Sequence, residues 1–199
     1  MTTNARQHAL FDAPLQLPHG LLYRPDFITP GEESALLAAI AELPFQDARF
    51  HQYTARRRVV RYGDGYETRE DENEPRLEFP SFLVSLRRKL AALAGVPAKA
   101  FAHALVTEYR PGTPIGWHRD APHFAVVAGV SLAGSCVMRF RPRTAKPDKK
   151  NVVSLELEPR SAYVMQGPIR WDWQHSIPPA KMLRYSITMR TLATAARVV

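Results

Sequence analysis

The stretch Trp117-His118-Arg119-Asp120 places an imidazole and a carboxylate two residues apart. On an extended strand, side chains two apart share a face, so both can reach one ion. A neutral imidazole and a carboxylate suit iron(II). One such pair arises often by chance, so a third donor must come from elsewhere in the chain. His175 supplies it, within Trp171-Asp172-Trp173-Gln174-His175-Ser176, a predicted strand just ahead of Pro178-Pro179. Two histidines and one carboxylate form a facial triad that leaves coordination positions free for other ligands. Zinc accepts the same donors, so the triad alone leaves the metal open. His123 lies three residues beyond Asp120 and reads as a neighbour or substrate-side group, not a fourth ligand.

Soon after His175 comes Arg184-Tyr185-Ser186-Ile187-Thr188-Met189-Arg190. As a strand, this segment sends Arg184, Ser186, Thr188 and Arg190 to one face and Tyr185, Ile187 and Met189 to the other. Buried guanidinium groups are costly unless anions meet them. Arginine also offers a planar fork that grips a carboxylate with two hydrogen bonds. A dicarboxylate bound near the metal is the economical reading. An edge strand with a wetted polar face is the alternative.

These residues need a scaffold. Thr29, Pro30 and Glu32 predict a capped helix start, and Leu36, Leu37, Ile40 and Leu43 supply its apolar stripe up to Pro44. A second helix begins near Pro80. Its stripe is Leu83, Leu86, Leu90 and Leu93, and Gly95 with Pro97 ends it. Between them Val59, Val60 and Tyr62 favour a strand, followed by a charged loop from Glu67 to Glu78. Beyond His103 the chain turns to short strands: 103–109, 125–132, 135–140, 152–157, 162–166 and 183–192. Many short strands between Gly and Pro turns predict a mainly β (α+β) fold of sandwich or barrel type, such as a jelly roll, with the two helices covering one sheet. No break in composition divides the chain, so 1–199 reads as one domain, with residues 1–20 as an extended arm.

At 199 residues the chain suits one domain with a full core. No apolar run approaches the roughly 20 residues of a membrane helix. The first residues lack the pattern of a secretory signal, and Cys136 is the single cysteine. A cytoplasmic location is the expectation, with no membrane, no obligate protein partner and a monomeric state. The net charge is +8, which favours polyanionic partners.

Taken together, Tyr109-Arg110-Pro111-Gly112, then His118-Arg119-Asp120, then His175 and the Arg-x-Ser-x-Thr-x-Arg strand resemble the AlkB family of iron(II)/2-oxoglutarate-dependent dioxygenases. In that family the last motif usually reads Arg-x-Asn-x-Thr-x-Arg. The resemblance covers residues 56 to 192. It implies a double-stranded β-helix (jelly roll) core over about 101–192 and a nucleotide-recognition lid over about 50–80. It implies His118, Asp120 and His175 as iron ligands. Arg184 would pair with the distal carboxylate of 2-oxoglutarate, Tyr109 would donate to it, and Arg190 would support its metal end and Asp120. Thr107 and Ser186 stand where members carry asparagine. The implied reactants are iron(II), 2-oxoglutarate and O2, which yield succinate, carbon dioxide and a hydroxylated carbon. A hydroxylated N-alkyl group then breaks down to an aldehyde and the bare amine. The expected substrate is alkylated DNA or RNA, as in repair of alkylation damage. Arg58, Tyr62, Tyr66, Trp117 and Trp171 are candidates to hold it, with Arg56, Arg57, Arg61 and the basic run Arg139 to Lys150 near phosphates. Two alternatives are an RNA- or protein-modifying hydroxylase of the same superfamily and a non-catalytic metal-binding jelly roll.

Overall fold

The computed structural model describes residues 17–50, 53–63, 77–143 and 151–193. Helix α1 (Pro30–Ala41) starts where the sequence predicts, on a reciprocal cap. The Glu32 amide donates to Thr29 Oγ1 at 3.2 Å, and the Thr29 amide donates to the Glu32 carboxylate at 2.9 Å. Leu36 and Ile40 are its buried residues. Helix α2 (Ser81–Ala94) buries Leu83, Leu86, Leu90, Ala91 and Ala94, one face at helical spacing. It ends on Gly95, whose φ of 68° is the left-handed turn that glycine adopts without strain.

Eleven strands are described: β1 (Leu21–Arg24), β2 (Gln46–Phe50), β3 (Tyr53–Gly63), β4 (Phe101–Tyr109), β5 (Ile115–His118), β6 (Phe124–Leu132), β7 (Cys136–Pro142), β8 (Val153–Leu157), β9 (Ala162–Met165), β10 (Trp173–Ile177) and β11 (Arg184–Leu192). They build a seven-stranded sheet in the order β1-β9-β6-β11-β4-β3-β2 and a four-stranded sheet in the order β5-β10-β7-β8. All pairings are antiparallel. This is the jelly-roll architecture that the strand pattern predicts.

The large sheet has two different faces. Val60, Ala104, Val106, Ile187 and Met189 form one core with α1 and α2. The alternate residues turn the other way, toward the small sheet, because successive strand residues alternate. There Val127, Tyr163 and Met165 meet Met138, Phe140, Leu155, Leu157 and Ile177 in a second core. The polar row of β11 lies on this inner side.

The His-x-Asp spacing calls for a strand at β5, which stops at His118, and two short strands escape the sequence reading: β1 and β2. Each has four or five residues, too few to show a period, and Gln46-Asp47-Ala48-Arg49-Phe50 is a polar edge strand. The strand predicted from Trp171 begins instead at Trp173. A short helix α3 (Pro168–Trp171) precedes it, started by Pro168 at its first position. Of the segment read as a lid, the described residues 53–63 form β3, which is paired to β4 from Arg58 to Gly63. Most of the remaining lid and of the 1–20 arm lies outside the described residues.

Candidate active site

The site begins with a cross-strand pair. β5 and β10 run side by side with His118 directly opposite His175, and the two imidazole centroids are 4.2 Å apart. β5 ends at His118, so Asp120 reaches the same point from the coil beyond the strand and not by strand pleat. Its Oδ2 lies 3.8 Å from His175 Nε2. The donor atoms of His118, Asp120 and His175 all fall within 4.8 Å of one another. Among the described residues this is the one cluster of metal-binding side chains.

Each ligand is prepared for an ion. His118 Nδ1 donates to the Gly116 carbonyl at 2.9 Å, which fixes the tautomer and frees Nε2 for metal. Burial, above all, pushes His175 down to about 4, so it is neutral at physiological pH. Burial works against the Asp120 charge, yet Arg190 first, then the neighbouring imidazoles and Arg170, hold its carboxyl well below the usual range. Arg190 Nη2 donates to Asp120 Oδ1 at 3.3 Å.

Two arginines clasp the coil that carries Asp120 to the turn ahead of His175. Arg119 Nη1 donates to the Trp171 carbonyl at 3.2 Å. In return the buried Arg170 donates through Nη2 to the Ala121 carbonyl. Chain segments far apart in sequence are thereby locked within a few ångströms of the ligands. The sequence reading gave Arg170 no role. Its only local signal is a charged residue inside an otherwise apolar turn.

The second half of the site is an arginine wall. β11 lies in the middle of the large sheet, hydrogen-bonded to β4 on one side and β6 on the other, so the edge-strand alternative is excluded. Arg184 is 2% exposed and Arg190 is 8% exposed. Arg184 Nε donates to Ser131 Oγ at 2.9 Å, and its guanidinium lies 4.9 Å from the centre of the Tyr109 ring. Arg190 Nη1 lies 3.3 Å from His103 Nδ1. Burial first, then Arg190, pushes His103 down to about 3, so its ring is neutral and Nδ1 accepts that hydrogen bond. Ser186, between the two arginines on β11, and Thr107, opposite it in register on β4, are both buried. Ser131 and His103 escaped the sequence reading because only the register of distant strands brings them here.

Arg184 Nη1 and Arg190 Nε are buried with no hydrogen-bond partner among the described residues. Native proteins rarely leave such donors unmet. Two guanidinium groups, one beside the metal triad and one a few residues along the same strand, fit a short dicarboxylate with one end at the metal. A non-catalytic metal protein has no use for this wall.

The substrate candidates are scattered. Tyr62 is 5% exposed and belongs to the helix-side core, with the Phe82 ring edge-on at 6.5 Å. Arg58 shares that face of β3. It forms a two-pronged pair with Glu108 at 2.9 and 2.7 Å, and Glu108 also takes Arg110 at 2.9 Å. Both therefore lie on the side of the sheet away from the metal, and neither meets a base at the iron site. Trp117 alternates with His118 and so turns to the outer face of the small sheet. The guanidinium groups of Arg141 and Arg139 lie 4.3 and 5.2 Å from its ring centre. Arg141 Nε donates to Gln174 at 3.0 Å, and Arg139 Nε donates to Ser176 at 3.2 Å. Trp171 is half-buried on α3, with the Arg170 guanidinium 4.9 Å from its ring centre, and it stays next to the metal coil. His123 packs against Phe124 and is not part of the metal set. Tyr66, Lys146, Lys149 and Lys150 lie outside the described residues.

Three protein donors with coordination positions to spare, beside a buried clamp for carboxylates, are the working parts of the iron(II)/2-oxoglutarate oxygenases. The family model for the 2OG-Fe(II) oxygenase superfamily matches residues 20–190. The Alkylated DNA repair protein ALKBH8 homolog of Arabidopsis thaliana is 32% identical over 197 residues, covering 87% of this chain and 55% of that one. The chain thus spans about half the length of that relative. The Probable RNA/DNA demethylase ALKBH6 of Danio rerio is 28% identical over 171 residues, covering 81% and 70% of the two chains. The solved structure of OsALKBH1 superposes with a TM-score of 0.65 at 15% identity, covering 88% of this chain and 99% of that one, which speaks to fold. The chain belongs to the 2OG-Fe(II) oxygenase superfamily and, within it, to the AlkB family.

The chain therefore carries an iron(II)/2-oxoglutarate-dependent oxygenase domain, with iron(II) as cofactor and 2-oxoglutarate and O2 as cosubstrates. His118, Asp120 and His175 would hold the iron, and Arg184, Arg190 and Tyr109 would hold the cosubstrate. With iron held there, O2 would be the oxidant and 2-oxoglutarate the co-reductant for inserting one oxygen atom into a substrate C–H bond. The chain keeps the His175 imidazole neutral, keeps Asp120 ionised through Arg190, and buries the carboxylate clamp.

Proposed function

We propose that this enzyme removes alkyl groups from the nitrogens of nucleobases in DNA or RNA by oxidising the carbon attached to nitrogen. The observation that carries the reading is the outer face of the small sheet. There Trp117 lies one residue from an iron ligand, with the guanidinium groups of Arg139 and Arg141 beside its ring. Gln174 and Ser176 hold those arginines by Nε, which leaves the terminal N–H groups to reach phosphates. An aromatic ring among fixed cations suits a single strand, since any base can stack on it and the cations follow the backbone. The net charge of +8 acts in the same sense. Two relatives are named for repair of alkylated DNA and for RNA/DNA demethylation. The target base leaves the stack to reach the iron, and Trp171, beside the metal coil, is placed to flank it. In this reading the enzyme works as a cytoplasmic monomer.

The test is a panel of methylated single-stranded oligonucleotides incubated with iron(II), ascorbate and 2-oxoglutarate and read by mass spectrometry. The expected result is loss of a methyl mass, with formaldehyde and succinate released together. Succinate release stimulated by peptides and by no oligonucleotide overturns the reading. Trp117→Ala should weaken oligonucleotide binding by roughly 1–3 kcal/mol, the worth of one stacked base, with 2-oxoglutarate affinity unchanged.

A further inference from the structure

Glycine in the middle of a strand weakens it and often marks a close approach by another group. Gly129 is such a residue, six positions into the nine-residue strand β6. A Cβ added there would sit 2.6 Å from Tyr163 Cε1, 2.7 Å from Cζ and 2.7 Å from the phenolic oxygen. No real side chain tolerates those contacts, so Gly129 is the space that the Tyr163 ring occupies. Tyr163 lies opposite Gly129 on β9, and its hydroxyl end has crossed over the β6 backbone.

The residue beyond Gly129 in the same direction is Thr188 of β11. Thr188 stands between Arg184 and Arg190 on the inward row. The phenol of Tyr163 thus points at the gap between the two arginines that carry unpartnered N–H groups. The ring is 7% exposed and packs in the second core, and the hydroxyl, with no hydrogen bond among the described residues, is not one of the sealed unmet atoms and so opens onto free space at the site. Burial, with Asp120 and Tyr109 acting in the same sense, pushes the phenol up to about 12 against the pull of Arg184 and Arg190. It remains a hydrogen-bond donor throughout the physiological range.

We propose that Tyr163 is a cosubstrate-binding residue whose hydroxyl donates to 2-oxoglutarate between Arg184 and Arg190, and that Gly129 is the residue that admits it. Packing alone would be served by phenylalanine, which fills the same space over Gly129 without aiming a hydroxyl at the gap between the arginines.

Tyr163→Phe keeps the ring and removes only the donor. Binding is measured by calorimetry, titrating 2-oxoglutarate into manganese(II)-loaded protein, with the melting temperature and manganese affinity followed alongside. The expected result is a dissociation constant raised about tenfold or more, the loss of one hydrogen bond to a charged group, with the melting temperature and manganese affinity unchanged. An unchanged 2-oxoglutarate titration overturns the proposal. So does a weaker titration accompanied by a large fall in melting temperature, because that result describes packing. Gly129→Ala gives a second arm: it drives the ring from its place and should weaken 2-oxoglutarate binding at least as much. The double variant Gly129→Ala with Tyr163→Ala removes the clash. It should regain melting temperature without regaining affinity, and recovered affinity contradicts the assignment.

Discussion

Replacing Arg184 with methionine separates the two roles a buried arginine can have. In the ligand-free protein Arg184 is a nearly inaccessible cation, held by Ser131 and the Tyr109 ring, with Nη1 unmet. Exchanging a poorly compensated buried charge for an apolar side chain of similar length gains roughly 1–4 kcal/mol. Against this, Ser131 Oγ loses its partner at about 1–3 kcal/mol and the ring contact is lost at about 0.5–2 kcal/mol. The two sides nearly cancel, so the ligand-free melting temperature should stay within a few degrees of wild type. The ligand response should collapse. Saturating wild type at a hundredfold excess over its dissociation constant adds about 2.7 kcal/mol. That is roughly 5–11 °C for a chain of this size. The variant lacks one or two charge-assisted hydrogen bonds at about 1.5–3 kcal/mol each, which weakens binding by roughly 10- to 10,000-fold. At a hundredfold loss the same concentration adds only about 0.4 kcal/mol, a shift of roughly 1–2 °C. Thermal denaturation with manganese(II), with and without 2-oxoglutarate, reads both numbers. A full ligand shift in the variant would falsify the carboxylate clamp. A ligand-free melting temperature more than about 10 °C lower would make Arg184 a structural residue.

Other perturbations test separate parts of the site. Asp120→Ala should abolish saturable manganese(II) binding by calorimetry and all turnover while far-ultraviolet circular dichroism stays unchanged; retained binding removes Asp120 from the ligand set. Arg170→Met opens one half of the clasp and should weaken metal affinity about 10- to 100-fold, as loss of an outer support does; unchanged affinity shows that Arg119 alone fixes the coil. Stability should depend on pH through His103, which folding holds neutral down to about 3 while the unfolded chain takes up its proton near 6.5. The unfolded state then binds more protons, so stability falls as pH drops from about 6.5 toward 3 and is level above that range. His103→Gln keeps an acceptor for Arg190 and should flatten the profile of urea midpoint against pH; an identical slope assigns the effect to other groups.

The parts of this site that the sequence discloses are those with a local pattern. Arg184, Ser186, Thr188 and Arg190 alternate on one strand, and the strand proves central and inward-facing. His118 and His175 stand out as donors in short motifs, and they meet through a register that no local pattern specifies. Asp120 was expected on the strand face of His118, but β5 stops one residue after Trp117, and salt contacts with Arg190 do the aligning. The outward direction of Trp117 is legible in the sequence, since a residue adjacent to an inward ligand on a strand faces outward. That of Tyr62 is not. Val59 and Val60 put an apolar residue on each face of β3, and only the packing of α2 shows which face meets the helices. His103, Ser131, Arg170 and the Gly129–Tyr163 pair are products of strand order, which depends on contacts between residues far apart in the chain.

Anomalous diffraction from crystals grown anaerobically with manganese(II) and 2-oxoglutarate locates the metal and the cosubstrate together. The expected result is one metal peak bound by His118 Nε2, Asp120 and His175 Nε2, with a 2-oxoglutarate carboxylate against Arg184. A metal peak bound by any other residues, or a cosubstrate lying away from Arg184, contradicts it.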